Sequence, residues 1–181
     1  MAADSVPSDR DGSSGPHYTT LGINMAGLRC LVVGGGPIGS RKASTLAAGG
    51  AEVTVVAPTI AGTLPELVAA GRVHWQLSEY DADMLAGFVL VVAATDDQAL
   101  NLRIAADAEG CGILCCNVSS ASCSRVIFPA LYTDKEVTVA VHSHGRQCGL
   151  SKRVRDELAA WLRGREERRG ERRRGTGKSP L

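Results

Sequence analysis

The sequence predicts an α/β fold in which a parallel sheet is followed by a C-terminal module of one β-hairpin and one helix. Two observations predict the sheet: short apolar runs rich in valine alternate with helical segments, and the first run leads into a glycine-rich turn. Such runs are typical of parallel strands that are buried on both faces. The hairpin is predicted because the last two strand-like runs are joined by a short turn instead of a helix.

The glycine-rich turn follows the first strand, which is centred on residues 31–33, and has the spacing Gly34-x-Gly36-x-x-Gly39. Gly34 permits the tight turn, Gly36 leaves room for a pyrophosphate near the backbone, and Gly39 lets the helix pack closely on the strand. Pro37 suits the first helical turn, whose N–H groups and dipole attract anions. The motif predicts a Rossmann-type sheet that binds a dinucleotide. The alternative is a tight turn in an α/β domain that has lost its ligand.

A second strand, residues 52–57, lies at the distance along the chain that a βαβ unit requires. In the usual fingerprint an Asp or Glu at the end of this strand binds the adenosine ribose. Pro58 and Thr59 occupy that place here. The pattern alone therefore does not separate NAD from NADP.

The next elements lead to the edge of the predicted sheet. Residues 63–66 have the form of a capping box that starts a short helix ending at Gly71. A third strand is expected over residues 73–77. Residues 81–87 are expected to form a short polar turn or helix.

The most apolar run, residues 88–94, predicts a central strand. Thr95 and Asp96 follow it, at the carboxyl end of a strand, where open α/β sheets place their ligands. Capping of the following helix by Thr95 or Asp96 is a second interpretation that is compatible with the first. A fifth strand, residues 113–118, carries Asn117 near its end.

The C-terminal module is predicted from two strands, residues 125–131 and 136–143, and a final helix. The helix has one apolar stripe, with arginines pointing elsewhere. The stripe consists of Val154, Leu158, Trp161 and Leu162, and the arginines are Arg153 and Arg155. Because the hairpin has exposed strand edges and an apolar composition, we expect it to pair with a second copy and form a homodimer.

Composition predicts a disordered leader over 1–20 and a basic disordered tail over 164–181. Between them we expect a dinucleotide-binding Rossmann domain over 21–118 and a hairpin module for dimerisation and substrate over 119–163. The net charge of +1 gives no general case for nucleic acid or acidic membranes. With no long apolar run and no signal-like start, we expect a cytoplasmic protein. The six cysteines form no CxxC pair. We interpret them as reduced core residues and expect no metal site.

Three stretches together resemble the precorrin-2 dehydrogenase / sirohydrochlorin ferrochelatase family, which includes the N-terminal part of siroheme synthase. They are VVGGGPIGSRK, AATDDQALN and VIFPALYTDKEVTVAVHSHG, and the similarity runs over roughly residues 21–161. The resemblance implies NAD+-dependent oxidation of precorrin-2 to sirohydrochlorin, and some members also insert Fe2+. The implied cofactor contacts are Gly36, Pro37, Ile38, Pro58 and Thr59, with Thr95 and Asp96 near the nicotinamide.

The implied substrate carries many carboxylates, which basic side chains commonly bind. The substrate-binding candidates are Asn117, Arg125, Arg146 and Arg153, together with Lys152 and Arg155. Ordinary surface charge is the alternative interpretation for any one of the basic residues.

Two departures from the family pattern concern the catalytic residues. The family usually has an aspartate, its main acid/base candidate, shortly after the Asn of the fifth strand, whereas Ser120 stands there in this chain. A neutral hydroxyl is not an anionic base without a partner. His142 and His144 replace part of an expected glycine-rich Ser-Pro segment. Being two apart in a strand-like run, they are expected on one face, as alternative proton acceptors or as plain surface residues.

The leading hypothesis is therefore an NAD-dependent precorrin-2 dehydrogenase without ferrochelatase activity. Hydride transfer depends on how substrate and nicotinamide are held more than on a strong base. The alternatives are a bifunctional dehydrogenase and ferrochelatase, and a paralogue that binds dinucleotide or tetrapyrrole without turnover.

Overall fold

The computed structural model describes residues 16–144 and 147–175. Its main body is a five-stranded parallel sheet in the order β3-β2-β1-β4-β5. The strands are β1 (Arg29–Val33), β2 (Glu52–Val56), β3 (Val73–Gln76), β4 (Leu90–Ala93) and β5 (Leu114–Asn117). Three helices connect them, α1 (Pro37–Ala48), α2 (Leu64–Ala69) and α3 (Gln98–Gly110), with a short 3-10 helix at Ala82–Leu85. The module beyond the sheet consists of β6 (Ala130–Thr133), β7 (Thr138–Val141) and α4 (Cys148–Gly175).

Both faces of the sheet are covered, as the apolar runs predict. Along β1, Cys30 and Val32 face one apolar cluster while Leu31 and Val33 face the other. All four residues of β4 are buried. Because successive side chains of a strand point to opposite faces, a strand covered on both sides must be apolar throughout. The predicted α/β fold with a Rossmann-type parallel sheet is confirmed.

The strand order places a switch point at the middle of the sheet. From β1 the chain proceeds outward through β2 and β3, and then returns to place β4 on the other side of β1. The loops that leave β1 and β4 therefore diverge and open a crevice at their carboxyl ends, where sheets of this kind bind ligands. The glycine turn and Thr95 lie at this crevice.

The hairpin is shorter and begins later than the sequence suggested. Residues 125–131 were expected to be a strand, but the N–H groups of Arg125 and Val126 both donate to the carbonyl of Cys115, at the edge of the main sheet. The β6 strand therefore starts only at Ala130. The turn is also displaced, because the Asp134 carboxylate accepts from the N–H groups that follow it and closes the turn there. These hydrogen bonds lower the pKa of Asp134.

The helix α4 packs on the hairpin with a face that only partly matches the predicted stripe. Ser151 and Ala159 are buried, and Val154 and Leu162 are half-buried. Trp161, in contrast, is 54% exposed. Leu158 is 39% exposed. The prediction that Arg155 points away is wrong, since its guanidinium donates to the Leu131 carbonyl at 3.2 Å.

The two chain ends differ from expectation where the structure describes them. Helix α4 continues to Gly175, so the disordered tail expected from residue 164 is helical over residues 164–175. Near the other end, residues 16–20 belong to the expected leader, yet the Tyr18 hydroxyl bonds to the main chain of a distant loop. Residues 1–15 and 176–181 lie outside the described part of the chain. Within that part, no helix has the length and apolar character needed to cross a membrane.

Candidate functional site

The glycine turn is shaped by close backbone contacts. Gly34 has φ of +112°, and a Cβ placed there would overlap the carbonyl group of Ala94 at the end of β4. A Cβ on Gly39 would overlap the carbonyl oxygen of Gly34, which is the close helix packing that the motif predicts. Gly35 is equally restricted, because its Cβ would overlap the carbonyl oxygen of Thr59. The turn therefore depends on glycine for reasons internal to the fold.

Gly36 is different, because a Cβ there would meet nothing within 4 Å. Its φ of −72° is open to any residue. Helix α1 begins next to it with Pro37 and has no side-chain cap, and Ile38 is 46% exposed. The first-turn N–H groups thus lie beside an open position, and the residues present fit the pyrophosphate of a dinucleotide.

The loop after β2 is fastened to this turn. The Ala61 N–H donates to the Gly35 carbonyl at 2.8 Å, and the Thr63 N–H donates to the Ser40 hydroxyl at 3.0 Å. The predicted capping box is not formed, because the Thr63 hydroxyl bonds with Ser40 and Ser44 on α1. Pro58 and Thr59 remain exposed beside the turn, where they are available to the adenosine half of a dinucleotide.

At the end of β4, Thr95 is held by a buried amide. Its N–H and hydroxyl both donate to Asn101 Oδ1, at 3.1 and 2.8 Å, and the Asn101 amide donates back to the Thr95 carbonyl at 2.9 Å. Helix α3 is capped by Asp97, whose carboxylate accepts from two first-turn N–H groups. Capping by Thr95 or Asp96 is therefore wrong. Asp96 lies exposed at the crevice.

Asn101 is fully buried and links this strand end to the next one. The Asn117 amide donates to the Asn101 carbonyl at 3.2 Å. Asn117 Oδ1 accepts from the hydroxyl of Ser119 at 2.7 Å and from its N–H at 3.0 Å. The Asn117 side chain, predicted to bind substrate, thus shapes the loop after β5. Asn101 was not predicted from the sequence, although an Asn among the apolar positions of a helix indicates a buried polar group that needs hydrogen-bond partners.

A cleft of about 520 Å³ lies between α1, the loop after β5, the hairpin and the start of α4. Ser120 and His142 line it from different segments. Its basic lining residues are Arg41, Lys42, Lys152 and Arg155, and no acidic residue lines it within the described chain. Ile127, Phe128 and Pro129 add an apolar wall. Such a surface suits a flat ligand that carries several carboxylates.

The cleft brings together only part of the predicted substrate set. Arg125 pairs with Glu109 and lines a second cavity, and Arg153 is exposed on α4 without lining the cleft. Arg146 lies outside the described residues. Arg41 and Lys42 were not predicted. The sequence feature that could have identified them is their position on the helix that follows the glycine turn. In the structure, Lys42 Nζ lies 3.9 Å from the Phe128 ring centroid.

Of the candidate proton acceptors, Ser120 and His142 line this cleft, and His144 contacts His142 for a reason other than the predicted one. Strand β7 ends at Val141, and His144 has φ of +51°, so the two histidines approach because the chain bends. Their ring centroids lie 4.8 Å apart. The Ser120 hydroxyl lies 3.0 Å from that of Ser122. Over residues 16–144 and 147–175, no three His, Cys, Asp or Glu side chains are arranged to hold a metal ion.

Three cysteines fit the core prediction and two do not. Cys30, Cys115 and Cys116 are buried, whereas Cys111 and Cys123 are exposed. Burial raises the pKa of Cys30 to about 11 and that of Cys115 to about 12. Cys116 borders the cleft, and its pKa is raised by burial more than the charge of Lys42 lowers it. These buried thiols therefore stay protonated near neutral pH.

Residues 21–130 match the family NAD_binding_7, described as NAD(P)-binding, and the chain belongs to this family. It is similar to siroheme synthase from Chromobacterium violaceum, with 40% identity over 140 residues, which is 77% of this chain and 30% of the relative. Siroheme synthase from Pseudomonas fluorescens is 40% identical over 145 residues, 80% of this chain and 31% of the relative. The chain thus spans about 30% of the length of these relatives.

Among solved structures, the chain is similar to the one titled "SirC, precorrin-2 dehydrogenase". The TM-score is 0.68 at 28% identity, covering 79% of this chain and 70% of that chain. This match and those to the siroheme synthases confirm the family resemblance. They also support NAD as the predicted cofactor.

Proposed function

We propose that this chain oxidises precorrin-2 to sirohydrochlorin with NAD+ as the electron acceptor, as a step of siroheme synthesis. The observation that carries the proposal is a basic cleft, without a lining carboxylate among the described residues, that adjoins the glycine turn. Ile38 belongs to both places, since it lies in the first turn of α1 and also lines the cleft. Similarity to a precorrin-2 dehydrogenase and to siroheme synthases points to the same substrate.

Residues of the crevice hold the dinucleotide in this proposal. The N-terminus of α1 and the open position at Gly36 bind the pyrophosphate, and Pro58 and Thr59 contact the adenosine half. When bound, NAD+ supplies a nicotinamide ring that accepts hydride. Thr95 lies at the end of the crevice that receives the nicotinamide in this proposal, and the buried Asn101 amide fixes the backbone of Thr95.

Residues of the cleft hold the tetrapyrrole. Arg41 and Lys42 meet its carboxylates from α1, while Lys152 and Arg155 meet them from α4. Phe128 belongs to the apolar wall against which the macrocycle packs. Because the N-terminus of α1 binds the dinucleotide and the adjoining face of the same helix binds the tetrapyrrole, the reacting carbon is held beside the nicotinamide. This positioning supplies the main rate enhancement.

The oxidation releases one hydride and one proton, and the proton needs only a weak acceptor or water. Metal insertion is more demanding, because two pyrrole protons must leave as Fe2+ enters. The hydroxyl of Ser120 faces the cleft where the family aspartate is expected, and no carboxylate lines the cleft within the described chain. We therefore propose a dehydrogenase with little or no ferrochelatase activity.

We also propose that the protein forms a homodimer through its hairpin. Among the strands of the described residues, β6 and β7 pair with each other alone, so each keeps one open edge there. Leu131 and Val137 are each 40% exposed on this hairpin. A second copy would cover both the edges and the apolar side chains. Sedimentation over micromolar concentrations tests this, and a strictly monomeric species contradicts it.

The experiment that tests the function combines purified protein, precorrin-2 and NAD+ under anaerobic conditions. We expect NADH and the sirohydrochlorin spectrum to appear together, in equal amounts. Binding of both ligands without NADH would favour the non-catalytic alternative. Insertion of Fe2+ or Co2+ into sirohydrochlorin is then measured for the wild type and for Ser120→Asp. A wild-type rate clearly above the spontaneous rate contradicts the monofunctional proposal.

A further inference from the structure

An extended segment near the start of the described chain crosses from one wall of the cleft to the other. The Tyr18 hydroxyl lies 2.7 Å from the carbonyl oxygen of Ala121 and 3.1 Å from that of Ser124. Both carbonyls belong to the loop after β5, which carries Ser120 into the cleft. The Ser124 N–H donates to the same Ala121 carbonyl at 3.1 Å, so Tyr18 reinforces the turn that shapes this loop.

The same segment binds the second wall through two histidines. The hydroxyl of Thr20 lies 2.9 Å from Nε2 of His142, a residue that lines the cleft. The Tyr18 N–H donates to Nδ1 of His144 at 3.4 Å. Residues 18–20 therefore contact the loop after β5 and the end of the hairpin at once, although these two regions are far apart in sequence.

The hydrogen bonds also favour one tautomer of His142. The backbone N–H of His144 donates to Nδ1 of His142 at 3.4 Å, so that nitrogen is an acceptor. The proton then resides on Nε2, which donates to the Thr20 hydroxyl. This hydrogen bond from Nε2 to Thr20 holds the imidazole ring of His142 in one orientation at the cleft.

Polar contacts, rather than burial, hold this segment in place. Leu21 is 75% exposed and Ile23 is 54% exposed, so these two apolar side chains provide little anchoring. Tyr18 is half-buried, and burial raises the pKa of its hydroxyl, with a smaller contribution from Cys116. The hydroxyl therefore remains protonated and able to donate, as its contacts with two carbonyl oxygens require.

We propose that residues 16–20 form a strap that positions the two walls of the cleft, with Tyr18 fixing the loop of Ser120 and Thr20 fixing His142. The proposal rests on the proposed function for the identity of the ligand, a tetrapyrrole polycarboxylate. Tyr18 and Thr20 act through other groups and are positioning residues. The strap contacts the walls of the cleft and not the glycine turn, so we expect it to affect binding of the tetrapyrrole much more than binding of NAD+.

The test uses the full chain and single-atom changes in the strap. Tyr18→Phe removes one hydroxyl and keeps the ring, Thr20→Val removes the second hydroxyl, and Thr20→Ser restores it. Thr19→Val is the matched control, because Thr19 is an exposed neighbour in the same segment. Three quantities are measured: the Kd for sirohydrochlorin, the Kd for NAD+, and deuterium uptake of the amides of residues 118–124 and 142–144.

We expect Tyr18→Phe to raise the Kd for sirohydrochlorin about fivefold, as loss of one hydrogen bond would, and to speed deuterium uptake in residues 118–124. Thr20→Val should speed uptake in residues 142–144, and Thr20→Ser should reverse this. The Kd for NAD+ should stay within about twofold of wild type. Thr19→Val should change none of the three.

Unchanged deuterium uptake in both Tyr18→Phe and Thr20→Val would overturn the strap, as would an equal loss of affinity for both ligands. If Tyr18→Phe does not fold, deuterium uptake in Thr20→Val and Thr20→Ser decides whether the strap exists. Failure of the proposed function has a separate signature, because the wild type would then neither bind sirohydrochlorin nor reduce NAD+. The exchange measurement needs neither ligand and decides on the strap in that case as well.

Discussion

The two halves of the candidate site are built by different means. The dinucleotide crevice is made mainly of backbone, with Gly34, Gly35 and Gly39 packed where no side chain fits. The cleft is made of side chains, with basic groups from α1 and α4 that converge across it. A backbone site depends on conformation and is lost abruptly, whereas a site made of several charges should weaken one contact at a time.

The largest effect is expected inside the glycine turn. Gly39→Ala places a Cβ against the Gly34 carbonyl oxygen and should lower the free energy of unfolding by about 2–3 kcal/mol, as overpacking does. Gly36→Ala is the matched control, since its Cβ meets nothing, and should change stability by less than about 0.5 kcal/mol. Urea unfolding measures both. Equal stability of the two variants would show that the turn is looser than these contacts imply.

A second substitution separates folding from binding at the same turn. Gly36→Asp should fold normally, because the position is open, but its carboxylate would occupy and repel the pyrophosphate. At a hundredfold excess of NAD+ over its Kd, the wild type should gain about 2.7 kcal/mol. The variant should gain almost nothing. Thermal unfolding with and without NAD+ gives the comparison, and equal gains would place the dinucleotide elsewhere.

The cleft should respond more mildly to loss of one charge. Lys42→Ala should weaken sirohydrochlorin binding by about tenfold, with a loss that shrinks as salt is added. Arg153→Ala is the control, because Arg153 is exposed and lies outside the cleft, and should change affinity by less than about twofold. Fluorescence titration at low and high salt measures both. Equal effects would mean that general surface charge binds the ligand.

The dinucleotide crevice could be predicted from the sequence more fully than the cleft. The glycine turn was readable from sequence because its residues are adjacent and their spacing has a mechanical meaning. Arg41 and Lys42 were not identified, because the cleft exists only once α1 meets the hairpin and α4. Asp97 took the capping role expected of Thr95 or Asp96, since the position of a helix start is decided by tertiary contacts within one or two residues.

The last prediction concerns a pH dependence that is absent near neutral pH and arises in the core of the sheet. Cys30 and Cys115 have pKa values raised from 9.0 to about 11 and 12 by burial. Above pH 9 the unfolded chain loses these protons while the folded chain keeps them, so the free energy of unfolding should fall as pH rises. Each thiol contributes about 1.4 kcal/mol per pH unit between its unfolded and folded pKa.

The comparison of Cys115→Ala with Cys123→Ala measures how much of this pH dependence comes from a buried thiol. Removing the buried thiol of Cys115 should flatten the decline of stability between pH 9 and pH 11, measured by urea unfolding. Removing the exposed thiol of Cys123, which contributes less than burial to the raised pKa of Cys115, should leave most of the decline in place. The same slope in both variants would attribute the decline to other groups.

The central claim is that the cleft holds the tetrapyrrole directly beside the nicotinamide bound in the crevice. The most direct measurement uses precorrin-2 deuterated on its macrocycle carbons, with NAD+ in ordinary water, and analyses the NADH by mass spectrometry. We predict one deuterium in each NADH, transferred as hydride from the substrate, and no NADH from Gly36→Asp. NADH that carries only solvent hydrogen, or equal turnover by Gly36→Asp, would contradict the account.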